Sequence, residues 1–286
     1  MPRTCCRCKQ ERPLEEFGPN KHTPSGLRYQ CRACEAADQK LRRAGKQSTE
    51  PKQTKQTKEA ITTKTVALGD IHFPFHNRAA LGWALEVIGS EQPDYVVQVG
   101  DVFDQFSFAK WPRSHNAILP KDEMDEARKH ALFMWSEIKR LAPKADCYQL
   151  MGNHDQRALK RITESVPSAE TFVRDGIKEL LTFQGVTLID DSQDELHIDG
   201  VQYEHGHLRF GEHARNNQCN TVCGHSHRGG SMFYNVVPGA YWELNCGFLG
   251  DIRGEAFRYM PTKRATNTTL GIGIVDALGP RFCPYI

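Results

Sequence analysis

Hydrophobic and polar positions follow two different patterns along the C-terminal part of the chain. Short apolar runs predict strands at Thr65–Leu68, Tyr95–Val99 and Cys147–Met151. Between these runs, apolar residues recur at helical spacing and predict amphipathic helices at Arg78–Ser90 and Pro120–Leu141. Strands that alternate with helices in this way are typical of layered α/β folds.

The pattern becomes mostly β after Gly185. Asp199-Gly200 lies between two short apolar runs and predicts a two-residue hairpin turn. The remaining predicted elements are helices at Gln156–Ser165 and Ala169–Leu181 and strands at Leu196–Ile198, Val201–Tyr203, Thr221–Cys223, Phe233–Val237 and Leu270–Val275. A region of alternating elements followed by a β-rich region predicts a layered α/β sandwich.

Composition divides the chain into three regions. Residues 1–64 hold 15 basic and 7 acidic residues, a net charge of +8, whereas the rest holds 22 basic and 28 acidic residues, a net charge of −6. We expect a small metal-binding module at residues 1–40, a flexible basic linker at 41–64 and a large α/β domain at 65–286. A helix is expected at the start of the linker, from Ala33 to Arg43. The charge asymmetry predicts a basic arm on an acidic body, and a solubilising tail without a target is the alternative.

Polar residues of metal-binding types follow the predicted strands in five clusters. The clusters are Asp70-Ile71-His72, Gly100-Asp101, Gly152-Asn153-His154-Asp155, Tyr203-Glu204-His205-Gly206-His207 and Gly224-His225-Ser226-His227. Because ligands bind beyond the carboxyl ends of strands in open α/β sheets, this placement predicts one shared site. Imidazole and carboxylate ligands suit Mn, Fe, Zn or Ni. Two such ions about 3.5–4 Å apart clamp the oxygens of a phosphoryl transfer. Taken singly, each cluster is also explained by turn residues, a helix cap or surface histidines.

The ordered motifs D-x-H, G-D, G-N-H-D, H-G-H and G-H-S-H, between about residues 65 and 250, resemble the calcineurin-like metallophosphoesterase family. The resemblance implies a four-layer α/β/β/α sandwich and a metal-bound hydroxide that attacks phosphorus. It implies that one metal is held by Asp70, His72 and His227, the other by Asn153, His205 and His225, with Asp101 as the bridge. It also implies that His154 protonates the leaving oxygen and that Asp155 orients His154.

Three further polar residues lie close to these motifs. His76 and Asp104 are candidates to face the substrate, because they follow the first and second motifs within a few residues. His207 is the second histidine of H-G-H and is either a neighbour of the ligands or a surface residue. Arg157 and Arg228 lie beside motifs without being diagnostic of a substrate.

Two C-x-x-C pairs near the N-terminus predict a structural zinc site. Cys5, Cys8, Cys31 and Cys34 supply four thiolates for a closed tetrahedral site, and Cys6 is an alternative ligand. About 40 residues bury little core, so metal binding would supply folding energy. The segment Pro13–Cys31 is similar to zinc modules of phage HNH recombination endonucleases. The other five cysteines lack ligand spacing and are expected to be reduced thiols.

These observations predict a metal-dependent nuclease whose zinc module tethers nucleic acid, with DNA favoured. Basic residues interleaved with Phe17 and Tyr29 suit a phosphate backbone, and the segment Gly100–Asp104 resembles the G-D-L-F-D type of DNA-repair nucleases. The alternatives are a phosphomonoesterase acting on a phosphoprotein or a nucleotide, a non-catalytic nucleic-acid-binding protein, and a zinc module that docks a protein. The sequence shows no apolar run of about 18 residues and no signal segment, so we expect no membrane partner. We expect a cytoplasmic location, which includes the case of a phage protein that acts in its host cell.

Overall fold

The computed structural model describes residues 2–20, 27–37, 60–110, 118–190, 194–236, 239–258 and 267–286. The chain divides into two compact units, Met1–Thr57 and Lys58–Ile286. Residues 41–59 of the predicted linker lie outside the described residues, as does the part of the predicted Ala33–Arg43 helix beyond residue 37. The backbone N–H groups of Thr62 and Thr63 each donate to the Asp199 carboxylate at 3.0 Å. Contacts of the larger unit therefore begin before Thr65, the predicted start of the domain.

The small unit is built from two short antiparallel strand pairs. Its strands are β1 (Arg3–Thr4), β2 (Glu11–Arg12), β3 (Phe17–Pro19) and β4 (Leu27–Cys31). Strand β1 pairs with β2, and β3 pairs with β4. Its buried cluster consists of Cys5, Phe17 and Cys31, with Cys8, Leu27 and Cys34 packed against it. Since cysteines make up most of this cluster, the unit lacks an ordinary apolar core among its described residues.

A six-stranded sheet forms the first β layer of the large unit. Its parallel strands are β5 (Thr65–Leu68), β6 (Tyr95–Gln98), β7 (Asp146–Leu150) and β8 (Thr187–Ile189), and its antiparallel strands are β14 (Gly271–Asp276) and β15 (Gly279–Pro284). The strand order is β15-β14-β5-β6-β7-β8. The helices of this region are α1 (Arg78–Glu91), α2 (Pro120–Leu141), α3 (Arg157–Thr163) and α4 (Glu170–Leu181).

A five-stranded sheet forms the second β layer. Its strands are β9 (Leu196–Ile198), β10 (Val201–Tyr203), β11 (Asn220–Cys223), β12 (Gly229–Val236) and β13 (Gly239–Cys246), in the order β12-β13-β11-β10-β9. Strands β10, β11 and β13 run parallel to one another. Helix α5 (His213–Asn217) packs against β11 and β13 and supplies the fourth layer.

Two apolar clusters hold the layers together. Ala67 and Val97 of the first sheet share a buried cluster with Val222 and Leu244 of the second sheet. A larger cluster joins the first sheet to the helices; its helical members include Ile88, Ala131, Ile138 and Ile177. Burial of such apolar surface is the dominant favourable contribution to folding. The predicted α/β/β/α sandwich is confirmed, with the outer helix of the second sheet reduced to the short α5.

The predicted elements of the larger unit agree with the observed ones to within two residues, apart from the predicted Phe233–Val237 strand. That strand belongs to β12, which already begins at Gly229, and Val237 lies outside the described residues. Strands β8, β13 and β15 and helix α5 were not predicted. Strands β13 and β15 both begin at glycine, and β15 contains two prolines, which weakens the sequence pattern of a strand but is tolerated at a sheet edge. Among the described helices, none is long and apolar enough to cross a membrane.

Candidate metal centre

The five polar clusters meet because parallel strands end at a common edge. Asp70, Asp101 and Asn153 lie just beyond β5, β6 and β7, which are neighbours in the first sheet. His205 and His225 lie just beyond β10 and β11, which are parallel neighbours in the second sheet. The sandwich therefore brings loops from both sheets to one place, as expected for the ligand-binding edge of an α/β fold.

The backbone at this edge adopts an unusual conformation. Five of the predicted ligands have positive φ angles: Asp70 (50°), His72 (57°), Asp101 (54°), His225 (65°) and His227 (57°). Such a conformation is rare for residues with a side chain and is concentrated at functional sites. The folded scaffold thus holds these side chains in orientations that an unconstrained loop would not favour.

Asp70, His72 and His227 form the first group of converging ligand atoms. Nε2 of His227 lies 3.4 Å from Oδ1 of Asp70 and 3.3 Å from Nε2 of His72. Nε2 of His72 lies 3.9 Å from Oδ1 of Asp70. Two imidazole nitrogens and a carboxylate oxygen, all within 4.8 Å of one another, form a donor set suited to a divalent transition metal.

Asn153, His205 and His225 form the second group. Oδ1 of Asn153 lies 2.7 Å from Nδ1 of His225 and 3.0 Å from Nε2 of His205. Oδ2 of Asp101 lies 3.3 Å from Nε2 of His205 and 3.9 Å from Nε2 of His72, so its carboxylate lies between the two groups. The structure therefore brings together all seven residues that the sequence predicts as metal ligands.

Several ligands are oriented by partners outside the cluster. Nδ1 of His72 lies 2.9 Å from Oδ2 of Asp104, and Nδ1 of His205 lies 2.9 Å from the carbonyl oxygen of Val99. Each contact holds a ring proton on Nδ1 and directs Nε2 toward the other ligand atoms. Asp70 accepts the backbone N–H of His225 at 2.9 Å, which links the two ligand groups.

Burial and neighbouring charges set the protonation of the histidines. Desolvation lowers the pKa of His72 and of His225 to about 4, so both rings are neutral at pH 7. Burial also lowers the pKa of His205, but the Asp101 carboxylate outweighs it and raises the pKa to about 10. In the protein without metal, His205 therefore carries a proton that a cation must displace.

Residues 63–231 match the family described as calcineurin-like phosphoesterase. The chain belongs to this family. It is thus a metallophosphoesterase, a hydrolase that acts on phosphoester bonds, and it carries a candidate dinuclear metal site.

Two curated relatives of this phosphoesterase are phage proteins. The Gene 54 protein of Mycobacterium phage D29 is 26% identical over 253 residues, which cover 79% of this chain and 93% of the relative. The Gene 54 protein of Mycobacterium phage L5 is 24% identical over 214 residues, which cover 68% and 82%. Among solved structures, YfcE, a phosphoesterase from E. coli, aligns with 18% identity over 74% of this chain and 88% of that chain, with a TM-score of 0.39.

Asp104 and Arg157 surround the predicted acid, His154. Oδ2 of Asp104 lies 3.3 Å from Nδ1 of His154, and Nη2 of Arg157 lies 2.9 Å from Nε2 of the same ring. Asp104 is fully buried and bonded to His72, His154 and Arg157. Its predicted role as a substrate-facing residue is therefore wrong, because its carboxylate is occupied by these side chains.

Asp155 does not orient His154, contrary to the prediction. Its carboxylate accepts backbone N–H groups from Gly152 and Phe103 at 2.8 Å and from Val102 at 3.3 Å. Burial, together with the nearby charge of Asp101, raises the pKa of Asp155 to about 7. Asp155 instead joins the loop after β6 to the loop after β7, and Asp104 contacts the imidazole.

Two further candidates remain, His76 and His207. The His76 ring packs against Phe73 and His130, with ring centroids 4.7 Å apart in each case, and its role as a substrate-facing residue stays a prediction. His207 is exposed, which agrees with the alternative that it is a surface residue.

Sequence reasoning missed a buried polar network behind the H-G-H loop. The Glu243 carboxylate, fully buried on β13, accepts backbone N–H groups from Gly211, His213 and Ala214 at 2.5, 2.8 and 3.1 Å. Nδ1 of His213 lies 2.6 Å from Oε1 of Glu204, the residue before His205. The available signal was a glutamate flanked by the apolar residues of a strand.

The four predicted zinc ligands also cluster. The sulphur atoms of Cys5, Cys8, Cys31 and Cys34 lie within 4.8 Å of one another, whereas Cys6 is exposed. The backbone N–H of Cys31 donates to Sγ of Cys5 at 3.3 Å and is the main reason that the pKa of Cys5 falls to about 6. A lowered pKa favours the thiolate, which is the form that binds metal. The structure therefore favours Cys5 over Cys6 as the ligand.

Proposed function

We propose that this metallophosphoesterase is a metal-dependent nuclease that cleaves phosphodiester bonds of nucleic acid, with DNA as the favoured substrate. The observation that carries the proposal is the pairing of a phosphoesterase with an N-terminal region of net charge +8. A basic surface neutralises backbone phosphates and releases their counterions, which supplies affinity without sequence preference.

The seven converging ligands fit two divalent ions. One ion would be held by Asp70, His72 and His227. The other ion would be held by Asn153, His205 and His225, and Asp101 would contact both ions. When bound, such ions supply positive charge to the phosphoryl oxygens and lower the pKa of water. The mixed nitrogen and oxygen donor set accepts Mn, Fe, Zn or Ni.

His154 has the geometry of a general acid for the leaving oxygen. Its Nδ1 faces the buried Asp104 carboxylate at 3.3 Å, while its Nε2 lies 3.9 Å from Oδ2 of Asp101, the residue shared by the two ligand groups. A ring held in this way has a single nitrogen directed toward the ligands. That nitrogen is placed to pass a proton to an ester oxygen bound there.

The small unit supports nucleic-acid binding through its surface chemistry. The Arg3 guanidinium lies over the rings of Tyr29, at 4.9 Å, and Phe17, at 5.6 Å, and the Tyr29 side chain is 54% exposed. Phe17 is buried, so Tyr29 is the exposed ring next to a cation, an arrangement that provides a stacking platform for bases. We propose that one zinc ion, held by Cys5, Cys8, Cys31 and Cys34, stabilises this surface.

The first experiment compares substrates on the full-length protein loaded with Mn²⁺. Single- and double-stranded DNA, 4-nitrophenyl phosphate and bis(4-nitrophenyl) phosphate are offered at equal enzyme concentration. The proposal predicts cleavage of DNA and of the diester, and loss of both in Asp101→Ala. Intact DNA with rapid monoester hydrolysis would indicate the phosphomonoesterase alternative, and inactivity on every ester would indicate a binding protein.

The second experiment tests the small unit. Tyr29→Ala and Arg32→Glu change exposed residues of that unit, and Glu195→Gln on the large unit is the matched surface control. We expect the two variants to raise KM for DNA several-fold and to leave hydrolysis of bis(4-nitrophenyl) phosphate unchanged. The increase in KM for DNA should become smaller as the salt concentration rises, because salt screens the contacts with phosphate. Equal KM values for DNA in all three variants would exclude this surface from substrate binding.

A further inference from the structure

The Arg157 side chain forms hydrogen bonds with both Asp104 and the predicted acid, His154. It is the first residue of α3, and its side chain is only 16% exposed. Nη1 donates to Oδ1 of Asp104 at 2.8 Å and to the Asp104 carbonyl oxygen at 3.0 Å. Nη2 lies 2.9 Å from Nε2 of His154. The guanidinium therefore covers the nitrogen through which His154 would act.

The hydrogen-bonding groups of arginine determine which nitrogen of His154 carries the proton. A guanidinium has five N–H donors and no acceptor, so Nε2 of His154 must accept the bond from Arg157. The ring proton then lies on Nδ1, which faces Oδ2 of Asp104 at 3.3 Å. A His154 ring that carries a proton on Nε2 has no acceptor to offer Arg157. The bond from Arg157 and a proton on Nε2 are mutually exclusive.

We propose that Arg157 exchanges its bond to His154 for a bond to a phosphoryl oxygen of the bound substrate. Nη1 stays on Asp104, which keeps the guanidinium beside the site, and only Nη2 changes partner. A phosphoryl oxygen is the stronger acceptor, because it carries negative charge that attracts the guanidinium, whereas Nε2 of an imidazole that accepts a hydrogen bond is neutral. Substrate binding thereby uncovers Nε2 of His154 and adds a positive charge to the phosphoryl group.

The released nitrogen can then take part in a balanced hydrolysis. Once uncovered, Nε2 takes a proton from solvent, and that proton passes to the leaving oxygen as the bond between that oxygen and phosphorus breaks. Water supplies the new oxygen on phosphorus and loses a proton to solvent. Nε2 ends the cycle unprotonated and can again accept the bond from Arg157. This step rests on the proposed role of His154, which His154→Asn tests separately on the ester pair used below.

The kinetic experiment compares wild type, Arg157→Gln and Arg161→Gln. Arg161 is the matched control, because it lies on the same helix, is half exposed and, among the described residues, forms an ion pair only with Glu164, at 3.3 Å. The substrates are the 4-nitrophenyl and phenyl esters of whichever class, diester or monoester, the protein hydrolyses faster. This choice keeps the test independent of whether the natural substrate is nucleic acid.

We expect Arg157→Gln to lower kcat by about 10–100-fold on both esters, because this factor corresponds to the free energy of one hydrogen bond to a charged group. KM should change by less than about threefold, because binding exchanges one bond for another while the phosphoryl contact strengthens in the transition state. His154→Asn should slow the phenyl ester much more than the 4-nitrophenyl ester, whose leaving oxygen needs no proton. Arg161→Gln should match wild type.

Two further measurements separate this role from a structural one. Guanidinium chloride at low millimolar concentration should restore part of the activity of Arg157→Ala, and equal urea should not. In the resting enzyme, Arg157→Gln should speed carbethoxylation of His154 by diethyl pyrocarbonate several-fold, as mapped by mass spectrometry. The exposed His197 provides the internal control and should react at an unchanged rate.

Three outcomes would overturn the proposal. A rise in KM at constant kcat would mean that Arg157 only binds the ground state. A lowered melting temperature with no rescue by guanidinium would make Arg157 a structural residue. An unchanged rate of His154 carbethoxylation in Arg157→Gln would show that the guanidinium does not cover Nε2.

Discussion

Oδ2 of Asp104 lies 3.3 Å from Nδ1 of His154, although 50 residues separate them in the chain. The same oxygen lies 2.9 Å from Nδ1 of the metal-ligand candidate His72. Burial by itself would raise the pKa of Asp104, but the electrostatic interaction with His154 and the hydrogen bonds from both rings hold that pKa well below its usual value. One ionised carboxylate therefore orients both a predicted metal ligand and the predicted acid.

Asp104→Asn should lower kcat without unfolding the protein. An amide keeps the shape of the carboxylate but has no charge and only one acceptor oxygen, so it cannot accept from Arg157 and from both imidazole rings at once. Changes to such outer partners cost about 10–100-fold in metal affinity or activity. The measurements are steady-state kinetics and metal content after gel filtration. Full activity with two bound ions would contradict this role of Asp104.

Metal binding at pH 7 should release about one proton from His72, His205 and His225, the ligand histidines whose pKa values are shifted. His205, with a pKa of about 10, starts protonated, whereas His72 and His225, with pKa values of about 4, start neutral. A raised pKa means that the proton competes with the cation below pH 10, so affinity should rise with pH across the neutral range. Calorimetric titration with Mn²⁺ in two buffers of different ionisation enthalpy counts the protons. Metal binding without proton release would contradict the raised pKa of His205.

Gly152→Ala should destabilise the protein by about 3 kcal/mol, because overpacking forces backbone shifts. A Cβ at this position would lie 2.2 Å from both the backbone nitrogen and Oδ1 of Asp101. Gly82→Ala is the matched control, since Gly82 lies in α1 with open space around it. That change should stabilise the helix by about 0.5–1 kcal/mol. Urea denaturation of both variants gives the two free energies of unfolding, and similar values would argue against the close approach at Asp101.

Glu243→Gln should destabilise the protein by about 2–3 kcal/mol, the loss expected for buried hydrogen bonds to a charged group. Glu243 is fully buried and holds the backbone that follows the His205 loop. The control is Glu195→Gln, whose side chain is 76% exposed and which should change the free energy of unfolding by less than about 0.5 kcal/mol. Chemical denaturation gives both values. A free energy of unfolding equal to that of wild type would mean that the network behind the loop contributes no stability.

The order of elements and the identity of the ligand residues could be read from the sequence. Apolar runs and helical spacing are local properties, so the predicted bounds of β5, α1 and α2 agree closely with the observed ones. The five polar clusters were also found locally, because each follows a strand and strand ends share an edge. The resemblance to the metallophosphoesterase motifs then selected the seven ligand candidates from these clusters. The two C-x-x-C pairs likewise identified four cysteines whose sulphur atoms converge.

The partners of those residues were decided by the tertiary structure alone. Asp104 and Asp155 are both aspartates next to a motif, and no local pattern distinguishes the one that contacts His154 from the one that binds backbone N–H groups. Glu243 and Arg157 likewise gain their roles from chain segments 29 to 53 residues away. Side-chain hydrogen bonds depend on distance and angle in space. Packing of the two sheets sets those distances, so the sequence by itself determined which residues form the centre, and the fold determined how each is held.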